Sequence, residues 1–448
     1  MLPIAEIFAV KVPRYTSYPT APHFHSGIDA STYEAWLAAV PDDKPLSLYL
    51  HVPFCDTLCW FCGCHTTAVT TYKPVNDYCD LLLREIDLVS EALRTCRQVD
   101  HIHWGGGSPT MLRIPEILRI NDSIRTKFDV TLGAEFGIEI DPRALEAGTI
   151  LALKAAGVTR ASIGLQDCDP KVQRAINRVQ SDEETAQAVF LLRESGIISL
   201  NVDLVYGLPH QTLASWKATL DFALWLNADR LAVFGYAHVP QFKKHQALIP
   251  EAALPNVELR FQLAELARHV LCAHGYVAIG LDHFAKPHDP LAVAAAAGNM
   301  TRNFQGYSTD HAPVLIGLGA SAIGSLPNGY AQNIATVPAY RSALEKGQLP
   351  VARGVALSNE DRLRRAVIER LMCDLEVDLD QVNAEYAAGS ANFSDALEQL
   401  APMAADGIVR FDGGRLTIAP AWRSAARLVC AAFDQYLARA PARHSVPV

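Results

Sequence analysis

The sequence contains no apolar run approaching the ~18–20 residues a membrane helix needs, and its densest stretch, Leu291 to Ala297, is short and alanine-rich. Nor does it have a basic excess. Its 39 Lys and Arg stand against 48 Asp and Glu, a net charge of −9, which argues against a general binder of nucleic acid or anionic membrane. A few pocket arginines could still hold a small anionic substrate. The opening MLPIAEIFAVKVPRY has no leading basic region and carries Glu6 inside its apolar stretch, unlike a secretion signal. These absences predict a soluble, cytoplasmic protein with no membrane or nucleic-acid partner. Cysteine is also sparse: ten in 448 residues cannot build a disulfide framework. Six are scattered and read as small core hydrophobes. The other four, Cys55, Cys59, Cys62 and Cys64, lie within ten residues and need another explanation.

Short apolar runs alternate with helical patterns through the first two-thirds of the chain. Strand-like runs occur at 47–52, 101–104, 136–140, 161–165, 199–206 and 230–236, with helical stretches around 74–95, 114–127, 143–156, 181–195, 212–226 and 256–274. Such βα units predict an α/β fold with a parallel sheet wrapped by helices. Nearly every strand ends in a chemically capable group: His51, the glycines after Trp104, Glu139, Gln166, Asp203, His238. An even spread at strand ends favours a barrel, complete or partial, over an open sheet with one switch point. Beyond about residue 335 the pattern changes to a charged helical segment opened by Ser358, a hairpin at 407–420 turning at Asp412-Gly413-Gly414, and a last helix at about 421–438. The expected division is an extension at 1–45 covering the active site, a barrel at 46–335, a small mostly helical, winged-helix-like unit at 336–438, and a disordered tail at 439–448.

Cys55-x3-Cys59-x2-Cys62 follows directly on the first strand. Three or four thiolates in one loop suit zinc or an iron–sulfur cluster. Structural zinc prefers two knuckles separated in sequence, and a ferredoxin run supplies four ligands to a closed cluster; neither spacing matches. Three cysteines on a 4Fe-4S cluster would leave one iron open, the mark of a catalytic centre. This loop resembles the radical S-adenosylmethionine (SAM) superfamily, in which the methionine part of SAM chelates the open iron.

Further segments narrow the resemblance: PRYTSYPT (13–20), YLHVPFCDTLCWFCGC (49–64), HWGGGSPT (103–110), IEIDPR (138–143), GLQD (164–167), INR (176–178), NVDLVYGLP (201–209), YAHVP (236–240) and RNFQGY (302–307). Together they resemble the oxygen-independent coproporphyrinogen III oxidases over nearly the whole chain. That resemblance implies a partial (β/α)6 TIM-like barrel with an amino-terminal extension and a helical carboxyl-terminal domain. It implies conversion of the ring A and B propionates of coproporphyrinogen III to vinyl groups by a 5′-deoxyadenosyl radical. It also implies a 4Fe-4S cluster, two SAM molecules, an unidentified electron donor and acceptor, and a monomer.

By the same resemblance Cys55, Cys59 and Cys62 bind the cluster, while Cys64 is a family cysteine outside the ligand set. Tyr49 and Phe61 flank the cofactors. Gly106, Glu139 and Ile323 meet one SAM; Gly107, Ser108, Gln166, Arg178, Asp203 and Ala237 match positions around a second. Tyr49, Cys64, Arg302 and Gln305 are expected in the catalytic set, with Arg302 and Arg14 as candidates for the substrate carboxylates. Read without the family, GGGSPT could be a tight turn, Glu139 a salt-bridging acid, Asp203 a helix cap and either arginine a surface residue. His65 stands where the family more often has Asn, and Ser108 where Thr is common. The rival readings are a related haem chaperone or an anaerobic haem-degrading methyltransferase.

Overall fold

The computed structural model describes residues 4–8, 10–386 and 393–437; the expected tail at 439–448 lies outside them. Six strands run parallel in chain order: β1 Leu46–Val52, β2 Gln98–Gly106, β3 Asp129–Ile140, β4 Arg160–Gln166, β5 Ser199–Tyr206 and β6 Arg230–Gly235. Each is followed by a helix: α1 Lys73–Leu93, α2 Ile114–Lys127, α3 Ala147–Ala156, α4 Asp182–Glu194, α5 Leu213–Trp225 and α6 Val257–Ala273. β1 is buried along almost its whole length, as a strand covered on both faces must be. Ser181 and Glu184 form the reciprocal capping box that starts α4. The stretch expected to be helical from 143 instead opens with a 3-10 turn, Pro142–Ala144, because Asp141 accepts the Arg143 backbone N–H, and α3 begins at Ala147.

A seventh parallel strand, Val314–Leu318, pairs with the free side of β1, and antiparallel strands extend both edges into a twelve-stranded sheet. Side chains from every one of β1 to β6, with His283 and Leu315 beyond them, line one cavity of about 190 Å3. The sheet therefore curls around its own interior as an open barrel. It continues past residue 335: Val351–Ala356 pairs with Gly329–Asn333. α1 carries a buried carboxyl, Glu85, which accepts from the Gly319 N–H (2.6 Å), Asn333 Nδ2 and Tyr340 Oη. These bonds tie the end of the seventh strand to α1 beside β1.

From Ser358 the chain builds a second core. Helix Asn359–Asp374 packs with shorter helices and a three-stranded sheet whose hairpin turns at Gly413, φ +60°. The helix expected over 421–438 is a 3-10 segment, Pro420–Ala425, followed by Ala426–Ala432; the non-helical backbone of Trp422 breaks it. Ile7, Phe8, Tyr15 and Tyr18 belong to this second core rather than to that of the barrel. Arg427 donates to the carbonyls of Val12 and Pro13, and Tyr15 Oη donates to Asp434. The first and last described segments are thereby joined. Among the described residues no helix is long and apolar enough to cross a membrane.

Candidate functional site

The cysteine loop leaves the carboxyl end of β1 and is closed at its base by a short parallel pair, Phe54–Cys55 with Thr67–Ala68. Thr67 and Val69 N–H donate to Pro53 and Cys55 carbonyls, so the eleven residues between the paired strands project from a fixed stem. Cys59 is buried, Cys55 and Cys62 are half-buried, and Cys64 is exposed. Burial pushes the Cys55 thiol up to about 11, against the Thr66 hydroxyl at 3.2 Å. A hydrogen bond with Cys64 brings Cys62 down to about 7 and drives Cys64 the other way. Arg178 Nη1 and Arg143 Nη2 approach the Cys59 sulfur at 3.6 and 3.8 Å while both pair with Asp141. Arg178 Nε is buried without a partner. Two guanidinium groups beside a thiol suit a thiolate carrying a metal centre.

Among the described residues no three His, Cys, Asp or Glu side chains are placed to hold a single metal ion. The loop is therefore not a preformed zinc tetrahedron, whereas a cluster spreads its thiolates over separate irons. The donor set, three thiols with cationic neighbours at the mouth of the barrel, fits a 4Fe-4S cluster.

The loop is held from two sides. Trp60 N–H donates to the Ile176 carbonyl and Asn177 Nδ2 to that of Leu58. After β6, Lys243 Nζ donates to the Cys64 carbonyl (2.9 Å), His245 Nε2 bonds that of Cys62 (2.8 Å), and Gln246 Nε2 donates to that of Phe61 (3.0 Å). Trp60 and Phe61 pack against Val172, Ile176 and Ile249. This clamp was not visible in the sequence, where FKKHQ reads as an ordinary polar loop.

The glycine-rich segment after β2 lies directly on the loop's stem. Gly107 N–H donates to the Val52 carbonyl and Ser108 N–H to that of Phe54. A Cβ on Gly107 would collide with Thr66 Oγ1 and sit 2.6 Å from the Phe54 carbonyl oxygen, and Gly106 has φ +123°. Backbone meets backbone here, so the glycines serve the stem whatever ligand lies above them. Glu139, near the end of β3, accepts from Gly106 N–H (3.1 Å) and bonds His103 (3.3 Å). Burial pushes its carboxyl up, but those bonds and the nearby His51 win, and it lies below its ordinary value. Tyr49 stacks on His103 at 6.0 Å and hydrogen-bonds His51, whose Nε2 meets the His65 carbonyl. Tyr49, His51, His103 and Glu139 thus form one wall; His51 was legible as a strand-end group, His103 only as a strand residue.

Farther round, Asp203 accepts from Ser162 and Asn201, and burial raises it to about 6. Gln166 adopts φ +68° at the end of β4. Arg178 donates to the Gly164 carbonyl as well as reaching the cysteine loop. Ala237 follows β6, and Ile323 begins the strand that packs on Gly317.

The RNFQGY segment is a tight antiparallel hairpin, Thr301–Asn303 with Gly306–Ser308. Asn303, Gln305 and Tyr307 line the barrel cavity with Glu139, Asp203 and His283. Arg302 lies 4.3 Å over the Tyr307 ring; its Nε and Nη1 are buried and have no partner. Its backbone N–H donates to Glu369 on helix Asn359–Asp374, so the second unit supports the hairpin. Asp282, hydrogen-bonded to His283 at 2.7 Å, lies close to both Arg302 and Arg14. Arg14 donates to the Gly235 carbonyl at the carboxyl end of β6 (3.0 Å). The extension therefore reaches the same mouth of the barrel as the cysteine loop.

The Radical SAM superfamily matches residues 49–223, and the HemN C-terminal domain matches residues 357–421. The chain is 48% identical over 435 residues to the oxygen-independent coproporphyrinogen III oxidase of Bradyrhizobium diazoefficiens, covering 97% of each. It is 43% identical over 430 residues to the protein of that name from Paracoccus denitrificans, covering 96% of this chain and 95% of the other. A solved structure, coproporphyrinogen III oxidase (HemN) from Escherichia coli, described as a radical SAM enzyme, superposes with a TM-score of 0.90 at 37% identity. The match covers 96% of this chain and 100% of that one.

Proposed function

We propose the chemistry of this chain on the premise that it belongs to the oxygen-independent coproporphyrinogen III oxidases of the radical SAM superfamily. Its reaction is the oxidative decarboxylation of coproporphyrinogen III in haem biosynthesis, in which the ring A and B propionates become vinyl groups and two CO2 leave. When bound, a 4Fe-4S cluster and SAM supply the 5′-deoxyadenosyl radical that removes hydrogen beside each carboxylate.

The residues divide that work. Cys55, Cys59 and Cys62 hold the cluster, with Arg143 and Arg178 offsetting the charge at Cys59. Glu139, ionised and fixed by His103 and Gly106, accepts from ribose hydroxyls, and Tyr49, Phe61, Gly106 and Ile323 bound the same molecule. Gly107, Ser108, Gln166, Arg178, Asp203 and Ala237 border room for a second SAM. Arg302 offers its unpartnered Nε or Nη1 to a propionate, and Arg14 lies near enough to share the tetracarboxylate's charge. Gln305 and Cys64 face the reacting region. The protein works as a cytoplasmic monomer, with the extension around Arg14 covering the mouth of the barrel, and draws electrons from an outside donor and passes them to an outside acceptor.

The observation that carries this reading is the trio Cys55, Cys59 and Cys62 projecting from one stem at the carboxyl end of β1, with cationic partners at Cys59. Anaerobic incubation of coproporphyrinogen III with reconstituted protein, SAM, a reductant and cell extract as acceptor tests it by mass spectrometry. Loss of two carboxyl groups, abolished by Cys59→Ser, is the expected result. An intact substrate despite SAM cleavage would overturn the substrate assignment.

A further inference from the structure

Besides the residues assigned to cluster, SAM and propionates, the barrel cavity holds an Asp–His pair. His283 opens the short strand His283–Ala285, which pairs antiparallel with β6 and sets it opposite Ala232. The residue is buried yet lines the cavity, and its Nδ1 lies 2.7 Å from Asp282. Burial pushes the Asp282 carboxyl up, but His283, Arg302 and Arg14 outweigh it and hold the group below its ordinary value. An ionised carboxylate at Nδ1 keeps the ring proton there and leaves the lone pair on Nε2.

The imidazole is held in place. It packs edge to face against Phe234 (ring centroids 5.6 Å apart, 80°) and Tyr307 (5.1 Å, 87°). Tyr307 is itself fixed, since its hydroxyl accepts from Leu281 N–H and donates to the Met372 carbonyl. Nε2 has no hydrogen-bond partner among the described residues. A Cβ on Gly306 would stand 3.6 Å from it, so glycine at that position leaves the nitrogen uncovered. The carboxylates of the cavity are occupied by contrast: Glu139 by His103 and Gly106, Asp203 by Ser162 and Asn201, Glu135 by Arg160. An oriented lone pair with nothing to bond calls for a donor on the ligand.

Coproporphyrinogen carries two kinds of polar group, anionic carboxylates and neutral pyrrole N–H donors. A lone pair backed by the Asp282 carboxylate repels the first and attracts the second. Arg302 and His283 both rest against the Tyr307 ring, so one pyrrole with its propionate arm can meet both. We propose that His283 Nε2 accepts the N–H of the pyrrole whose propionate is reacting, which makes His283 a catalytic residue and Asp282 the residue that positions it. This rests on the reaction assigned above. Once a hydrogen atom has left the side-chain carbon attached to the ring, one electron passes to the one-electron acceptor that the reaction requires. Positive charge then spreads onto the pyrrole nitrogen, where the accepted hydrogen bond stabilises it. The bond to the carboxylate breaks next: its electron pair becomes the vinyl double bond, CO2 leaves, and the ring is neutral again with its N–H intact.

The test compares reconstituted full-length protein with three variants. His283→Phe and His283→Leu differ in shape but both lack an acceptor; His283→Gln places a carboxamide oxygen where Nε2 stood. Each is incubated anaerobically with coproporphyrinogen III, SAM, a reductant and cell extract as acceptor. Vinyl groups and 5′-deoxyadenosine are counted by mass spectrometry, and KM for coproporphyrinogen III is measured. In the Phe and Leu variants the vinyl groups formed per 5′-deoxyadenosine are expected to fall at least tenfold, while KM rises less than tenfold. His283→Gln is expected to recover at least a third of the parent ratio. A parent ratio in the Phe or Leu variant would overturn the proposal however slowly both products form, because His283 would then only support the hairpin or touch SAM. So would a larger rise in KM at that ratio, the mark of a carboxylate contact, or a Gln variant no better than Phe. A parent protein that forms no vinyl product would instead sink the assigned reaction, and this role with it.

Discussion

Arg178 brings its Nη1 to 3.6 Å from the Cys59 sulfur although 119 residues separate the two in sequence. The same nitrogen lies 3.1 Å from Asp141, and Nη2 bonds the Gly164 carbonyl at 2.7 Å. One buried guanidinium therefore fixes the cysteine loop to the ends of β3 and β4. Replacing it by Gln leaves Asp141 still paired with Arg143 but removes the charge-assisted bonds, each worth ~1.5–3 kcal/mol. Arg178→Gln is expected to bind fewer irons per chain after reconstitution, measured by iron assay, and to lower the melting temperature of the apo protein as well.

Arg302 has two buried N–H groups with nothing to bond. Supplying a propionate to one of them is worth ~1.5–3 kcal/mol, or roughly 10- to 100-fold in affinity. Arg302→Met should raise KM for coproporphyrinogen III by that factor, and Arg302→Lys should recover only part of it, since an ammonium keeps the charge but not the fixed planar donors. SAM cleavage without substrate should not change. Steady-state kinetics with both variants checks this.

Gly107 has no room for a methyl group: the stem's Phe54 carbonyl lies 2.6 Å from where a Cβ would stand. Gly107→Ala should cost ~1–3 kcal/mol of overpacking and displace the loop base. The expected signature is a lower melting temperature together with weaker SAM binding by calorimetry.

Burial pushes the Glu85 carboxyl up to about 7 from its ordinary 4.5, while Tyr340, Gly319 and Asn333 pull it back. The folded state thus holds this proton more tightly than the unfolded chain does. Its contribution to stability is fully present below about 4.5 and is lost as pH rises through 7. Glu85→Gln removes that slope, so the fall in melting temperature between about pH 5 and pH 8 should be smaller in the variant. Equal slopes in both proteins would refute the assignment.

The sequence made the six βα units legible because each strand carries a short apolar run and each is followed by a helical pattern, features that need no tertiary knowledge. Its capping residues, Ser181 and Ser358, marked two helix starts correctly. The antiparallel additions to the sheet were not legible: Ile323–Leu326 and Gly329–Asn333 are short, glycine-containing and stabilised by neighbours rather than by their own pattern. In the site, the three cysteines declared themselves by spacing. The residues that clamp the loop did not, because Lys243, His245 and Gln246 act through carbonyls far away in sequence. A side chain's chemistry can be read locally, but the backbone atom it serves is known only once the chain has folded.

The bonds from Arg427 to Val12 and Pro13 span as many as 415 residues. During synthesis Val12, Pro13 and Tyr15 consequently lack their partners Arg427 and Asp434 until the last described segment has been made, while Arg14 can already meet the Gly235 carbonyl of the barrel. A chain cut short before Arg427 would keep its first segment at the barrel mouth by that one of these bonds and lose the rest.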